Sequence, residues 1–359
     1  MEKRVEALRR AMEEEGIGAY YVTNPYNCRY LSGFTGSEGW LVVTLTAAYL
    51  ITDFRYQEQA GIESPDFTLM LYGRDKEYQT RIAVVDAIVK EHQVQHLGYE
   101  EEQMTVAEYD DLENATDALL MPESGMIELL RETKDESEIQ LIKTACDIAD
   151  KAFTHILEYI EPGMSEIQIA NELDFTMRGM GASGVSFDTI VASGWRSAMP
   201  HGVASEKTVQ KGELITLDYG CYYKGYVSDM TRTIALGVVD HQLEEIYQIV
   251  LKANTLVREQ ARPGLLGMDL EHIARDYIAS AGYNKEFGHS LGHSIGLEIH
   301  EAPNANLRSH DQFQVNQLIT DEPGIYIEGL GGVRIEDDLL FTPEGNEVLT
   351  HSTRELLVL

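Results

Sequence analysis

The chain has 359 residues, long enough for two or three domains, and its 43% hydrophobic content is ordinary for a globular protein. Its 60 aspartates and glutamates outnumber its 28 lysines and arginines, so the formal net charge is −32. Such an acidic chain is a poor partner for nucleic-acid backbones or anionic membranes, which attract basic surfaces.

Cysteine usage and the N-terminal sequence indicate the compartment. Cys28, Cys146 and Cys221 are odd in number and scattered, which favours neither a disulfide framework nor a thiolate metal site. The N-terminus is charged and helical in pattern, unlike a signal sequence, and no apolar run is long enough to span a bilayer. These features predict a cytoplasmic protein.

Residues 1–126 predict an α/β domain with a mixed sheet. An amphipathic helix comes first, followed by three strands between residues 20 and 52 and a loop rich in glycine and hydroxyls at 30–37. Strand and helix signals then alternate to about Met126. No metal or nucleophile constellation is visible here, so we expect a scaffold or oligomerisation domain.

Residues 127–359 predict a second domain with an internal repeat. Leu-Ile-Thr-Leu-Asp-Tyr-Gly at 214–220 is echoed by Leu-Ile-Thr-Asp-Glu-Pro-Gly at 318–324, and Pro-Gly at 162–163 by Pro-Gly at 263–264. A repeat of this length predicts two related α+β halves about a pseudo-twofold axis. Each half begins with a predicted helix pair, at about 132–159 and 165–180 in the first, and at about 240–261 and 268–282 in the second.

The repeated segment predicts a β-hairpin that carries acids. A turn at Lys224-Gly225 places Asp218 and Asp229 on opposite arms, at similar distances from the tip. A single aspartate here is most simply a turn residue or a solvated charge. The repeat superposes Glu322 on Asp218, and Glu336 follows the second turn, so four carboxylates converge. Two divalent ions balance their combined charge.

Three histidines follow the second helix pair. His289 and His293 have the spacing of neighbours on a helix, but glycines at 288, 292 and 296 favour a strand with one face of small residues. A lone histidine is usually structural. Three of them, of which His300 is the third, beside four acids favour a site for Mn, Co, Zn or Fe. Two metals about 3.5–4 Å apart fit such a set.

The motifs around these residues resemble the pita-bread metallopeptidases. Leu-Asp-Tyr-Gly, Ser-Asp-Met-Thr-Arg-Thr, Gly-His-Ser-Ile-Gly-Leu-Glu-Ile-His-Glu, Asp-Glu-Pro-Gly-Ile-Tyr and Val-Arg-Ile-Glu-Asp match that family in order. The resemblance covers about 130–359 strongly, and residues before about 125 more weakly resemble the creatinase-type N-terminal domain. It implies a pita-bread catalytic domain and five metal ligands: Asp218, Asp229, His293, Glu322 and Glu336.

The resemblance also implies roles and cofactors. Asp218 is expected to be bidentate on one metal, Asp229 and Glu336 to bridge both, and His293 and Glu322 to complete the other. Two divalent ions are expected, manganese first, with cobalt or zinc as alternatives. Glu322 is the expected general base and acid for a metal-bridging hydroxide. Four further residues are expected to handle substrate or pair within the site: His201, His289, His300 and Arg334.

The two-domain layout is similar to both the Xaa-Pro aminopeptidases and the Xaa-Pro dipeptidases. The loop at 30–37 and the compact length most resemble the short bacterial aminopeptidases, so we expect release of an N-terminal residue from a proline-containing peptide by a homodimer. The alternative is an Xaa-Pro dipeptidase, which must also bind the substrate carboxylate, usually with arginine. Arg308 is the only arginine between His300 and Glu322 and does not suggest such a clamp. A non-catalytic binding protein or a metal-free amidinohydrolase is disfavoured, because all five ligand positions are intact.

Overall fold

The computed structural model describes residues 2–359, which form two compact units, one ending at Arg131 and the other beginning at Glu132. The domain boundary at 126/127 stays a prediction. Within these residues, no helix combines the length and the apolar character that crossing a membrane requires.

The first unit alternates helices and short strands. Its elements are α1 (Glu2–Glu15), β1 (Ala19–Val22), α2 (Pro25–Ser32), β2 (Trp40–Thr44), β3 (Ala48–Thr52), α3 (Gln57–Glu63, after a 3-10 turn), β4 (Thr68–Leu71), α4 (Arg81–Glu91), β5 (His96–Glu100), α5 (Val106–Ala115), β6 (Leu119–Glu123) and α6 (Met126–Glu132).

The strands of the first unit form one six-stranded sheet in the order β4-β3-β2-β1-β5-β6. β1 pairs antiparallel with β2 and parallel with β5, so the mixed sheet that the sequence predicts is confirmed.

Part of the predicted loop at 30–37 is wrong, because Tyr30, Leu31 and Ser32 end α2. Asn24 caps this helix and Pro25 occupies its first turn, so a pair that signals the end of a strand also begins a helix.

The second unit contains the two halves of the repeat. Its elements are α7 (Glu136–Tyr159), α8 (Glu166–Gly179), β7 (Gly184–Val185), β8 (Ile190–Ser193), β9 (Glu213–Tyr219), β10 (Cys221–Tyr223), β11 (Tyr226–Val227), β12 (Met230–Leu236), α9 (His241–Gln260), α10 (Gly267–Ser280), β13 (Gly292–Ser294), β14 (Glu301–Ala305), β15 (Leu318–Asp321), β16 (Gly324–Ile327), β17 (Gly331–Arg334), β18 (Asp337–Thr342) and β19 (Gly345–Val348).

The two halves repeat the same pairing of strands. β9 pairs antiparallel with β12 and β10 with β11, and in the second half β15 pairs with β18 and β16 with β17. Apolar residues of α7 and α8 pack in one buried cluster and those of α9 and α10 in another. Each half therefore has its own core, and each presents a two-part hairpin.

Two glycines set the shape of the first hairpin. Lys224 and Gly225 both have positive φ, +47° and +89°, as a tight turn between β10 and β11 requires. At Gly220, between β9 and β10, an added Cβ would lie 1.8 Å from the carbonyl oxygen of Ser228. Only glycine therefore lets the two arms approach closely at this bend.

The histidine segment forms a shorter strand than the sequence predicts. β13 contains only Gly292–Ser294, so the predicted strand fails at His289, which lies outside it. The small face is confirmed at Gly292, where an added Cβ would lie 2.0 Å from the carbonyl oxygen of Thr320.

Candidate metal centre

The repeated hairpins bring acids from four chain positions together. Asp218 is near the end of β9, Asp229 precedes β12, Glu322 joins β15 to β16, and Glu336 joins β17 to β18. Potential ligand atoms of Asp218, Asp229 and Glu336 all lie within 4.8 Å of one another, and all three residues are buried. One small cation can contact all three carboxylates at this spacing.

His293 lies beside this cluster in the middle of β13. Its Nε2 is 3.6 Å from Oε1 of Glu322 and 3.8 Å from Oδ2 of Asp229. The five positions expected to hold metal therefore meet around one point, although they span more than a hundred residues of sequence.

The remaining predicted residues border the same space. His201, His289, His300 and Arg334 line a cavity of about 440 Å³ together with all five expected ligands. The ring centroids of His293 and His300 are 4.4 Å apart, with an interplanar angle of 66°. The structure thus places every sequence-predicted site residue at one cavity.

Arg334 connects three parts of the cavity wall. Its Nη2 donates to Oδ2 of Asp218 at 2.5 Å, and its Nε donates to Oγ1 of Thr231 at 3.0 Å. Its Nη1 donates to the hydroxyl of Tyr326 at 2.8 Å, and that hydroxyl lies 2.9 Å from Nε2 of His289. Burial and, to a lesser extent, the charge of Arg334 lower the pKa of His289 to about 4. The Tyr326 hydroxyl therefore contacts a neutral imidazole.

Four neighbours of the acids escaped the sequence predictions. Hydroxyls of two threonines donate to expected ligands: Thr231 to Oε2 of Glu336 at 2.5 Å and Thr320 to Oε1 of Glu322 at 3.2 Å. Asp338 accepts from the backbone N–H of Asp229 at 3.1 Å, and Tyr326 bonds to the arginine and histidine described above. Thr231 lies two residues after Asp229, and Thr320 lies two residues before Glu322. Side chains two positions apart on a strand share a face, so this spacing was the sequence signal that could have identified the threonines.

The raised pKa values of the buried carboxyl groups indicate that they need a compensating cation when they are ionised. Burial, reinforced by the charge of Glu336, raises the pKa of Asp229 well above its ordinary value. Burial also raises the pKa of Glu336, with Glu322 and Asp218 adding repulsion, and it raises that of Glu322 to about 8. Burial lowers the pKa of His293 to about 4, which leaves its imidazole neutral and able to act as a ligand.

The residues fit a divalent metal pair. Oδ1 of Asp218 is buried and makes no hydrogen bond, so it is an oxygen ligand without a partner. Buried acceptors are normally satisfied, and a bound cation supplies what this one lacks. The donor set of carboxylate oxygens and one imidazole suits Mn, Zn, Co or Fe, which prefer such ligands to thiolates.

We expect the metal-free protein to lose stability as the pH rises. Because the pKa of Glu322 is raised from 4.5 to about 8, its folded form keeps a proton that the unfolded chain releases between those values. Its contribution is therefore complete below pH 4.5 and is lost as pH rises through about 8. One such group changes the unfolding free energy by up to about 1.4 kcal/mol per pH unit.

Thermal unfolding of chelator-treated and manganese-restored protein across this pH range measures the effect. The stabilisation by manganese should grow with pH, because the metal replaces the proton as the compensating charge. Glu322→Gln should reduce the pH dependence of the metal-free protein, and the raised pKa values of Asp229 and Glu336 account for what remains. Equal manganese stabilisation at both ends of the range would contradict the expectation.

Comparison with known proteins gives consistent results across both units. Residues 140–343 match the model of Metallopeptidase family M24, and residues 4–133 match the Creatinase/Prolidase N-terminal domain. An Xaa-Pro dipeptidase of Pyrococcus horikoshii is 36% identical over 358 residues, which cover 99% of each chain.

Solved structures are similar over the same length. An Xaa-Pro dipeptidase from Bacillus anthracis has a TM-score of 0.96 and 48% identity, covering 99% of both chains. An X-Pro aminopeptidase from Thermotoga maritima has a TM-score of 0.91 and 38% identity, covering 98% of this chain and all of that one.

Proposed function

The chain belongs to metallopeptidase family M24, and from that membership we propose that it is a dinuclear Xaa-Pro peptidase acting as an Xaa-Pro dipeptidase. Membership confirms the predicted pita-bread catalytic domain and the creatinase-type domain before it. It also confirms that the chain is a hydrolase rather than a binding protein.

One observation carries the catalytic proposal. Asp218, Asp229 and Glu336 converge within 4.8 Å, and Oδ1 of Asp218 lacks any hydrogen bond. We assign these three, with His293 and Glu322, as the ligands of two divalent ions. When bound, such ions polarise a carbonyl and make a water molecule nucleophilic near neutral pH.

The chain's own side chains supply the proton transfers and the oxyanion contacts. Thr320 and His293 both approach Oε1 of Glu322, so we assign Oε2 as the oxygen that takes and returns the proton. His300 borders the cavity beside His293, and His201 lines the cavity as well. Both can donate a hydrogen bond to the developing oxyanion. Arg334 holds Asp218 through a buried ion pair.

Recognition of proline needs an apolar wall, because a bond before proline is a tertiary amide without an N–H. Five apolar side chains line part of the cavity and suit the ring: Phe187, Ile190, Pro200, Val203 and Ile299. We assign this wall to the proline side chain of the substrate.

The dipeptidase assignment rests on relatives. Full-length matches named Xaa-Pro dipeptidase include proteins of Pyrococcus horikoshii and Pyrococcus furiosus, at 36% and 37% identity, and the structure from Bacillus anthracis. This choice reverses the order expected from the sequence, where the aminopeptidase came first. For a free dipeptide, a group other than Arg334 must meet the substrate carboxylate, because Arg334 already pairs with Asp218.

An Xaa-Pro aminopeptidase is the second candidate, and one structural observation favours it. Among the described residues, Arg334 is the only arginine or lysine lining the cavity, and it is buried. Arg308 is exposed and absent from the cavity lining, and Asn304 borders the cavity instead. A cavity whose described lining offers no free cation for a substrate carboxylate suits a longer peptide.

Assays with matched substrates separate the two candidates. For the dipeptidase, kcat/KM should be higher for Xaa-Pro than for Xaa-Pro-Yaa, and amidation of the dipeptide should lower it about ten- to a hundredfold, as expected for loss of a charged contact. A preference for Xaa-Pro-Yaa, with little effect of amidation, would assign the aminopeptidase. Arg308→Ala serves as the control and should change neither ratio.

Other features remain proposals. We propose manganese as the metal, since oxygen and imidazole ligands suit it and no thiolate is offered at the site. We also propose a cytoplasmic homodimer that cleaves proline-containing peptides without nucleic-acid or membrane partners, in line with the acidic composition.

A further inference from the structure

A buried ion pair contacts the β13–β14 hairpin, which carries His293 in β13 and His300 immediately before β14. The side chain of Lys134 is 1% exposed and that of Glu301 is 6% exposed, and Nζ lies 3.1 Å from Oε2. Neither residue lines the cavity or belongs to the assigned ligand set. Burying two charges is costly, and removing either one leaves the other uncompensated.

Lys134 is hydrogen-bonded to the strand that carries His293. Its Nζ donates to Oγ of Ser294, the residue after His293, at 3.2 Å. It also donates to the backbone carbonyl of Glu132 at 3.3 Å. With Glu301, these acceptors occupy all three N–H groups of the ammonium, so its position relative to β13 is fixed.

Glu301 is hydrogen-bonded to the turn between His293 and His300. Its Oε1 accepts from the backbone N–H groups of Leu297 at 2.8 Å and of Glu298 at 3.1 Å. At Gly296, an added Cβ would lie 2.5 Å from Oε2, so the carboxylate lies directly against this backbone. The carboxylate therefore joins both sides of the turn to the buried ammonium.

His300 immediately precedes Glu301, and its ring packs against that of His293. We propose that Lys134 and Glu301 are positioning residues that hold the His300 imidazole against His293 and toward the scissile bond. This inference rests on the proposed peptidase function. Displacing a reacting group by about 1 Å can cost about a hundredfold in rate, which gives the pair a catalytic effect without contact with substrate.

The test removes both charges together. Lys134→Met alone would leave the Glu301 carboxylate buried without its ammonium, so the informative variant is Lys134→Met with Glu301→Gln, which is neutral and similar in volume. Glu301→Asp is a second variant that keeps the charge and shortens its reach. The matched control makes the same exchanges in an exposed pair, Lys143→Met with Glu347→Gln, whose charged atoms are 2.8 Å apart.

We expect the neutral double variant to keep two bound metals while kcat for Xaa-Pro falls at least about tenfold and KM changes less than about threefold. Amide hydrogen exchange across 295–300 should be at least about tenfold faster, because a neutral amide oxygen accepts the N–H groups of Leu297 and Glu298 more weakly than the carboxylate does and the ammonium that fixes it is gone. Glu301→Asp should give the same direction in both measurements, and the exposed control should match the wild type.

Two results would overturn the inference. One is that the neutral double variant and Glu301→Asp both keep wild-type kcat and wild-type exchange. The other is that these variants lose metal in parallel with activity. An inactive wild type refutes the proposed function instead, and the exchange measurement still decides whether the pair orders the turn.

Discussion

Asp229→Asn should lose bound metal and activity together, with kcat/KM for Xaa-Pro peptides at least about a thousandfold lower. Asp229 lies at the centre of the cluster: it shares the 4.8 Å group with Asp218 and Glu336 and is 3.8 Å from Nε2 of His293. Replacing one carboxylate oxygen by an amide nitrogen removes a negative ligand while changing the shape very little. The backbone N–H bond to Asp338 is unaffected by this change.

Elemental analysis of the metal-restored variant, beside its peptidase rate, measures both losses. The matched control is Asp188→Asn, because Asp188 lines the same cavity but is exposed and outside the cluster, and it should keep both metals. An Asp229→Asn protein that binds two ions and works at the wild-type rate would remove the assigned ligand role.

His300→Ala should keep both metals and lose turnover by about a hundred- to a thousandfold, the range for removal of one hydrogen-bond donor to the oxyanion. His201→Ala should behave in the same way. Both residues are exposed at the cavity, unlike His293, whose imidazole lies among the acids. Their loss should therefore leave the metals in place and remove contacts that strengthen in the transition state.

Metal content and kcat, measured for each variant, separate this role from ligation. His293→Ala should lose metal, whereas His155→Ala, an exposed histidine paired with Glu172 on the surface, should change neither quantity. If His300→Ala loses metal as readily as His293→Ala, the assigned role in turnover is wrong. Wild-type turnover in His300→Ala and His201→Ala would contradict it as well.

The sequence predicted the convergence of acids because the repeat carries the information in two places. Asp218 and Glu322 occupy equivalent ends of β9 and β15, and antiparallel pairing brings the returning arms back beside them. Local turn chemistry at Lys224-Gly225 fixed the register of the first hairpin. Patterns confined to a hairpin were therefore sufficient for the acids.

Contacts between distant segments were not predictable in this way. The contact between His289 and Tyr326 joins residues 37 positions apart, and no periodicity relates their positions. The Lys134–Glu301 pair joins residues 167 positions apart, and a lysine in a charged stretch is usually exposed. Such partners follow from tertiary packing, which overrides local patterns.

The most direct test titrates metal-free protein with manganese while bound metal and hydrolysis of an Xaa-Pro dipeptide are measured on the same samples. The proposal predicts no hydrolysis without metal, and a rate that rises with occupancy until two ions are bound per chain. Full hydrolysis by the metal-free protein, or two bound ions without cleavage of Xaa-Pro peptides of any length, would contradict it.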